Sequence, residues 1–362
     1  MPMLEWSSDT ETALTHRLLE LLQALPGVQA RLNRIEPNRA RSAQVDAEIE
    51  LDVAGKPIIL LIEAKKTAYP RDVRQALWQV KAHSQARPSG SEYLLAAQSL
   101  SPGAKELLRA ERIGYYDSGG SLFLPVPGAY IYIDKPPPKA RERSVRSLFS
   151  GRRAQVLHAL LTHDQEWFGV TAVAKQAQVA PSTVSEVVGQ LERLDWLESR
   201  GQGPVKERRL REPGRLLDAW VKQLTTLRPP IMRRYYVPGL KPDVLMDRLN
   251  EVFKKHHVDY ALSYEAAAQR YTPFLSGISQ VRTRLLPGID ANAAISELDA
   301  RAVDEGANLV VVETGSAGEL LFRQQVGGIW LASPVQVYLD LLRGEGRARE
   351  MAEHLRRERI GF

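Results

Sequence analysis

Val45-Asp46-Ala47-Glu48-Ile49-Glu50-Leu51-Asp52-Val53, then Ala54-Gly55-Lys56-Pro57, then Ile58-Ile59-Leu60-Leu61-Ile62-Glu63-Ala64-Lys65, is the stretch that decides the fold of the first third of this chain. Its first run alternates apolar and polar residues, the period of a half-buried strand. The second run is almost wholly apolar, as in a strand buried on both faces. Gly55 and Pro57 punctuate the two, so the natural reading is a hairpin. In such a hairpin Asp46, at the start of one strand, lies beside Glu63 and Lys65, at the end of the other. Glu63 and Lys65 are two apart and share a face. Two carboxylates can hold a hard cation such as Mg²⁺. A neighbouring ammonium can orient a water or stabilise charge developing on a phosphoryl group.

Further along, 72–80 read as a helix carrying Gln75 and Gln79, Tyr93–Ala97 as a strand, 103–112 as a helix, and 113–120 as a strand and turn. The Asp, the hairpin, the Glu-x-Lys and this order resemble the PD-(D/E)xK nucleases over about residues 10–133. Val45 stands where the Pro of the family's name would precede Asp46. The resemblance implies a restriction-endonuclease-like domain in which Asp46 and Glu63 ligate Mg²⁺, Lys65 positions water, and Gln75 or Gln79 assists. It does not by itself imply turnover, because the fold also serves proteins that only bind DNA.

Bulk properties set the frame. The chain has 362 residues, enough for two or three domains, with 44% hydrophobic and 25% charged residues, ordinary for a globular protein. No apolar run is long enough to span a bilayer, and the first residues lack the basic and apolar blocks of a signal peptide. There is no cysteine, which excludes disulfides and thiolate metal sites and agrees with a cytoplasmic location. A net charge of +6 favours a polyanionic partner, most simply nucleic acid. An Arg-rich surface set by a GC-rich genome has the same composition.

Two breaks divide the chain. Lys135-Pro136-Pro137-Pro138-Lys139-Ala140-Arg141-Glu142-Arg143 reads as a stiff charged linker over 136–147, and Leu227-Arg228-Pro229-Pro230 as a second. The expected domains are 1–135, 148–228 and 231–362.

The middle segment reads as a winged helix. A helix is expected over 144–162, with an interruption at Gly151, and a short strand at Phe168–Val170. A short helix at 171–177 and a tight turn at Gln178–Pro181 come next. Ser182 is expected to cap a longer helix, 183–194, with Val184, Val187, Val188 and Leu191 facing inward. Helix, short turn, helix is a helix-turn-helix. Residues 196–200, Gly201–Pro204 and 205–211 would be the two wing strands and their turn. The pattern resembles winged helix-turn-helix regulators of the MarR type. In such a motif the second helix enters the major groove of double-stranded DNA. Ser182, Thr183 and Ser185 would be short hydroxyl donors there, and Gln190 and Arg193 longer reach. Arg200, Lys206, Arg208, Arg209 and Arg211 would contact phosphates from the wing. A winged helix serving protein contacts, with a merely solvated basic wing, fits the same residues.

In the last segment 308–313 reads as a buried strand, and Ser333-Pro334 as the cap and first turn of a helix ending near Leu342. Residues 343–356 complete a helical pair with it. Leu331–Leu342 with Gly346–Arg356 resembles the AbiEi family of antitoxin-type transcriptional regulators, a resemblance covering about 148–362. It implies self-regulation of transcription and a toxin partner protein. No catalytic constellation is visible here. His256-His257 reads as surface histidines, and Gly315-Ser316-Ala317-Gly318 as a turn.

The expected fold class is α/β plus α+β multidomain: a restriction-endonuclease-like α/β domain, a winged helix-turn-helix and a C-terminal α/β domain. The reading preferred is a DNA-binding regulator. The alternatives are a Mg²⁺-dependent endonuclease targeted by the winged helix, and a protein-interaction module. A homodimer on a two-fold site is the common arrangement for winged helices, although no dimerisation helix stands out.

Overall fold

A computed structural model describes residues 8–35, 45–53, 55–82, 90–126, 129–135, 148–162 and 166–362. The linker expected at 136–147 lies outside the described residues. The chain divides into two compact units, Met1–Ser144 with Gln190–Asp195, and Val145–Gly189 with Trp196–Phe362. Most of the winged helix therefore shares a unit with the C-terminal sheet.

The first unit is a seven-stranded mixed sheet in sequential order, β1 to β7. Helix α1 (Ser8–Gln23) precedes β1 (Val28–Ile35), β2 (Ala47–Val53) and the long β3 (Lys56–Ala68). Helix α2 (Pro70–Ala82) leads to β4 (Ser91–Leu100), and α3 (Pro102–Ala110) to β5 (Gly114–Asp117), β6 (Leu122–Val126) and β7 (Ala129–Ile133). Strands β3, β4 and β5 run parallel through the two helical crossovers, and both flanks are antiparallel. Parallel neighbours need such crossovers, which is why β3 and β4 are buried along most of their middles.

Two cores cover the two faces. Leu14, Leu18 and Leu22, one stripe of α1, pack with Ile49, Leu60, Ile62, Ala64, Leu94 and Ala96. Each such leucine withdrawn from water contributes ~1.5–3 kcal/mol. On the other face Val73 and Leu77 of α2 and Ala104 and Leu108 of α3 pack with Leu95, Ala97 and Tyr115. The expected hairpin is the β2–β3 pair, turned through Gly55 at φ +80. That left-handed conformation is one glycine adopts without cost.

The second unit begins with α4 (Gly151–Thr162), α5 (Val170–Gln176) and α6 (Pro181–Arg193). The wing strands β8 (Leu197–Arg200) and β9 (Glu207–Leu210) follow, then α7 (Pro213–Leu224). The interruption expected at Gly151 is present: Leu148 is helical, Phe149 and Ser150 turn, and α4 starts at Gly151 with a φ of +56, while 144–147 lie outside the described residues. Two local expectations shift. The strand expected at Phe168–Val170 reduces to a single bridge between Phe168 and Arg208, and Val170 already opens α5. Helix α6 begins at Pro181, so Ser182 is inside the helix and is not its cap. Proline suits a first helical turn because its missing N–H has no partner to lose there.

The rest of this unit is a second seven-stranded sheet, in the order β13-β10-β14-β12-β11-β16-β15. Its strands are β10 (Met232–Tyr236), β11 (Tyr260–Ser263), β12 (Val281–Leu285), β13 (Arg301–Ala302), β14 (Leu309–Glu313), β15 (Gln324–Val326) and β16 (Ile329–Leu331). Helices α8 (Pro242–Lys255), α9 (Tyr264–Tyr271), α10 (Ile289–Glu297), α11 (Pro334–Leu341) and α12 (Ala348–Leu355) complete it. As expected, the Ser333 hydroxyl caps α11, accepting from the Gln336 N–H at 3.1 Å. His256 is paired with Glu297 at 2.7 Å, and among the described residues no group of three His, Asp or Glu gathers for a metal.

A buried polar network sits between this sheet and α11. Asp340, 3% exposed, accepts from Arg284 Nη1 at 2.8 and 2.9 Å, from Gln336 Nε2 at 2.9 Å and from the Ser263 hydroxyl. Arg284 Nη2 reaches Glu319 at 2.8 Å, whose other oxygen accepts from the Gly315 N–H at 2.8 Å. Burial pulls the Arg284 pKa down, but Asp340 and Glu319 more than offset it and the net shift is upward. The same side of the C-terminal domain meets α4. His158 contacts the Ser333 hydroxyl, stacks on Phe322 with ring centroids 4.6 Å apart, and meets Trp220 edge-on at 6.2 Å. Burial, reinforced by the Arg284 charge, lowers the His158 pKa to about 3.

Candidate functional site

The β2–β3 register pairs Ala47 with Ile62, and the Asp46 N–H donates to the Ile62 carbonyl at 2.8 Å. Asp46 and Glu63 therefore stand opposite each other across the hairpin. Asp46 Oδ2 accepts from the Ala64 N–H at 2.7 Å, which ties the carboxylate to the end of β3. Lys65 Nζ lies 2.6 Å from Glu63 Oε1, and both side chains keep partial exposure, 29% and 18%. The structure thus brings Asp46, Glu63 and Lys65 to one edge of the sheet face. The glutamines fall elsewhere. Gln75 is exposed on α2, turned from the buried stripe of Val73, Ala76 and Leu77, and the Gln79 side chain lies outside the described residues.

Tyr93 joins this cluster without having been singled out in the sequence. Its hydroxyl donates to Glu63 Oε2, so Glu63 is held by Lys65 on one oxygen and Tyr93 on the other. The parallel register Leu61↔Tyr93 delivers the ring there. No local pattern reveals that register. The sequence places Tyr93 only at the start of the run 93–97 that reads as a strand.

The DNA-facing candidates lie in the second unit, except that Gln190–Asp195 group with the first. Val184, Val187, Val188 and Leu191 are all buried, as the helical spacing predicts. Ser182, Ser185, Glu186 and Arg193 are exposed on α6, while Thr183 and Gln190 are half-buried. The carboxylate of Glu186 is neutralised locally by Arg153 of α4, 2.6 Å away. That lessens its repulsion of a phosphate backbone.

The wing has more internal order than a solvated basic hairpin. Arg200 pairs with Glu207 at 2.6 Å, and Arg209 with Glu198 at 2.7 Å. Both guanidinium groups also lie over the Trp167 ring, 4.3 and 4.9 Å from its centroid. Cation–π contacts of this kind hold a flat cation in place without neutralising it. The cross-strand pairs Glu198↔Arg209 and Arg200↔Glu207 share one face, and Ser199↔Arg208 the other. Arg208 and Arg209 therefore point to opposite sides of the wing. Arg211 approaches Glu198 at 4.0 Å, and Lys206 sits at the turn into β9, its carbonyl accepting from Arg208 at 3.4 Å.

Residues 151–201 match the IclR helix-turn-helix domain. The matched span takes in α4, α5, α6 and β8. This domain is of the IclR type where the sequence pattern resembles the MarR type. No curated protein matches the chain. Among solved structures it is similar to a repair endonuclease from Pyrococcus abyssi, at 22% identity over 32% of this chain and 49% of that one, with a TM-score of 0.22. It is similar also to EndoMS in the EndoMS-dsDNA2 complex, at 21% identity over 32% of this chain and 46% of that one, with the same TM-score of 0.22. The chain spans about half the length of these proteins, and a likeness this slight carries no function across. No helix among the described residues is long and apolar enough to cross a membrane.

Proposed function

We propose that the protein is a DNA-binding transcriptional regulator that reads duplex DNA with its IclR-type helix-turn-helix. One observation carries this reading. Helix α6 buries its valines and Leu191 and leaves Ser182 and Ser185 exposed near its N-terminus, the end that meets base edges in this motif. The wing adds five cations, Arg200, Lys206, Arg208, Arg209 and Arg211, against two carboxylates. Positive charge there suits phosphate contact. The C-terminal sheet and helices would carry regulation. The AbiEi resemblance of 331–356 supports an antitoxin-like role with a protein partner, and that role is the finer part of the proposal.

A second reading is favoured by one observation, the meeting of Asp46, Glu63 and Lys65. In it the first unit is a Mg²⁺-dependent endonuclease directed by the winged helix. The donor set fits a hard cation that takes one or two carboxylates and completes its shell with water and phosphate oxygens. Asp46 and Glu63 would hold the ion, and when bound it would polarise the phosphoryl group and acidify water. Lys65 would orient the attacking water, and Tyr93 would fix the Glu63 carboxylate.

Labelled duplex carrying the protein's own upstream region, incubated with Mg²⁺, with Mn²⁺ or with chelator, tests both readings on native and denaturing gels. A shifted, intact duplex indifferent to metal and to Glu63→Ala is the expected result. Strand breaks that need metal and vanish in Glu63→Ala would replace the regulator with the endonuclease. The absence of both a shift and strand breaks would sink both.

A further inference from the structure

The two large sheets have four edges, and three are guarded. Strand β1 carries the exposed Arg31 and Arg34 and a register shift between Leu32 and Arg34. In the second sheet the edge strands β13 and β15 are only two and three residues long. Charge, bulges and brevity are the usual devices that stop an open edge from pairing with another chain. Strand β7 has none of them. It is the last strand of the first sheet, and its five residues are Ala129-Tyr130-Ile131-Tyr132-Ile133, without charge, proline or bulge. Among the described residues it pairs with β6 alone.

The described side chains of this edge divide between the two faces of the sheet. Ile131 and Ile133 pack onto the core beneath. Tyr132 stands on the opposite face, 43% exposed, with its hydroxyl accepting from Arg109 Nη1 at 2.6 Å. Tyr130 is 71% exposed, its ring 6.5 Å from that of Phe123. Among the described residues the strand is thus apolar and unpaired on its outer side.

We propose that β7 is a dimerisation edge whose occupant is β7 of a second copy of this chain, running antiparallel. The strand is self-complementary. A two-fold axis at Ile131 sets Tyr130 of one copy opposite Tyr132 of the other and Ile133 opposite Ala129, so every cross-strand pair is apolar or aromatic. A two-fold interface uses the same patch on both subunits, which this pattern satisfies. Aromatic cross-strand pairs are among the most favourable in antiparallel sheets. The pairing would join two sheets into one continuous sheet. It does not depend on the function proposed above.

Sedimentation equilibrium of the full chain, at concentrations spanning low to high micromolar, tests the assignment together with Tyr130→Lys. A reversible wild-type dimer and a monomeric variant that melts like wild type are expected. The chain contains no native cysteine, so cysteine pairs give an independent test that survives any misfolding of Tyr130→Lys. An equimolar mixture of Tyr130→Cys and Tyr132→Cys chains should form an intermolecular disulfide on mild oxidation. Wild type that stays monomeric throughout would overturn the proposal. So would a dimer that persists in Tyr130→Lys while the mixed cysteine chains fail to cross-link, since another surface would then hold the copies together.

Discussion

His158 of the helix-turn-helix and Ser333, which caps α11 of the C-terminal domain, share a hydrogen bond in a fully buried setting. The imidazole is sandwiched among Phe322, Trp220 and the cap, so its charged form has no water to solvate it. Its pKa of about 3 in the folded protein lies below the ordinary value of about 6.5. The unfolded chain then binds the proton first, and stability falls as pH drops below about 6.5 towards the folded pKa. The slope contributed by this one group approaches ~1.4 kcal/mol per pH unit inside that window. Thermal unfolding at pH 7 and pH 5 should show a lower melting temperature at pH 5, and His158→Gln should shrink the difference. An unchanged difference in the variant would remove His158 as its source.

Arg284 and Asp340 form a pair that is almost completely withdrawn from solvent. Removing Arg284 leaves Asp340 buried with only the neutral donors Ser263 and Gln336, and removing Asp340 leaves Arg284 with Glu319 alone; breaking a buried pair typically costs about 3–5 kcal/mol. Asp340→Ala or Arg284→Met alone should therefore destabilise the second unit by about that amount in urea unfolding. The double variant Arg284→Met with Asp340→Leu should cost much less than the sum of the singles. Additive losses would mean that Glu319, Ser263 and Gln336 carry the network without the ion pair.

The placement of Arg208 and Arg209 on opposite faces of the wing separates two substitutions that look equivalent in sequence. Only one face can lie against a given stretch of backbone. Arg209→Ala, on the Trp167 side, should weaken DNA binding at all sequences and reduce the salt slope by about 1. Arg208→Ala should then leave the slope nearly unchanged. Binding titrations across a salt series check this, and the reverse pattern would turn the wing over on the DNA.

Tyr93 and Lys65 hold the two oxygens of Glu63 from neighbouring strands. Tyr93→Phe removes a hydrogen bond to a charged group at a buried ring and should cost about 1–2 kcal/mol of stability in the first unit. Chemical denaturation measures it. A loss near zero would mean that water or Lys65 takes over the vacated oxygen.

If the endonuclease reading holds, Lys65→Ala should abolish cleavage while the gel shift persists, because Lys65 belongs to the first unit and the DNA-reading helix begins in the second. Loss of shift and cleavage together, with a lowered melting temperature, would point to misfolding.

Much of this was legible in the sequence. The alternation of 45–53 and the apolar run of 58–62 fix the hairpin, because a strand has a period of two and a buried strand none. The meeting of Asp46 with Glu63 follows from that hairpin. Helical spacing likewise gave the four buried residues of α6. Partnerships between distant segments were not legible. Tyr93 reaches Glu63 only through a parallel register set by a crossover helix. Asp340 meets Ser263 and Arg284 across separations of 77 and 56 residues. His158 looks like an ordinary helical position until Phe322 and Ser333 close around it. The cap expected at Ser182 failed for a local reason, since Pro181 already occupies the first turn.

The seam around His158 also bears on how such a chain could be cut or recombined. Severing it at Leu227–Pro230 would strip Phe322 and Ser333 from the helix-turn-helix head, leaving a bare imidazole and a wet Trp220 edge. The released head would regain an ionisable histidine and an adhesive apolar scar. It is therefore not a detachable cassette: any recombination that swaps the head for another must bring along a matching surface for the C-terminal sheet.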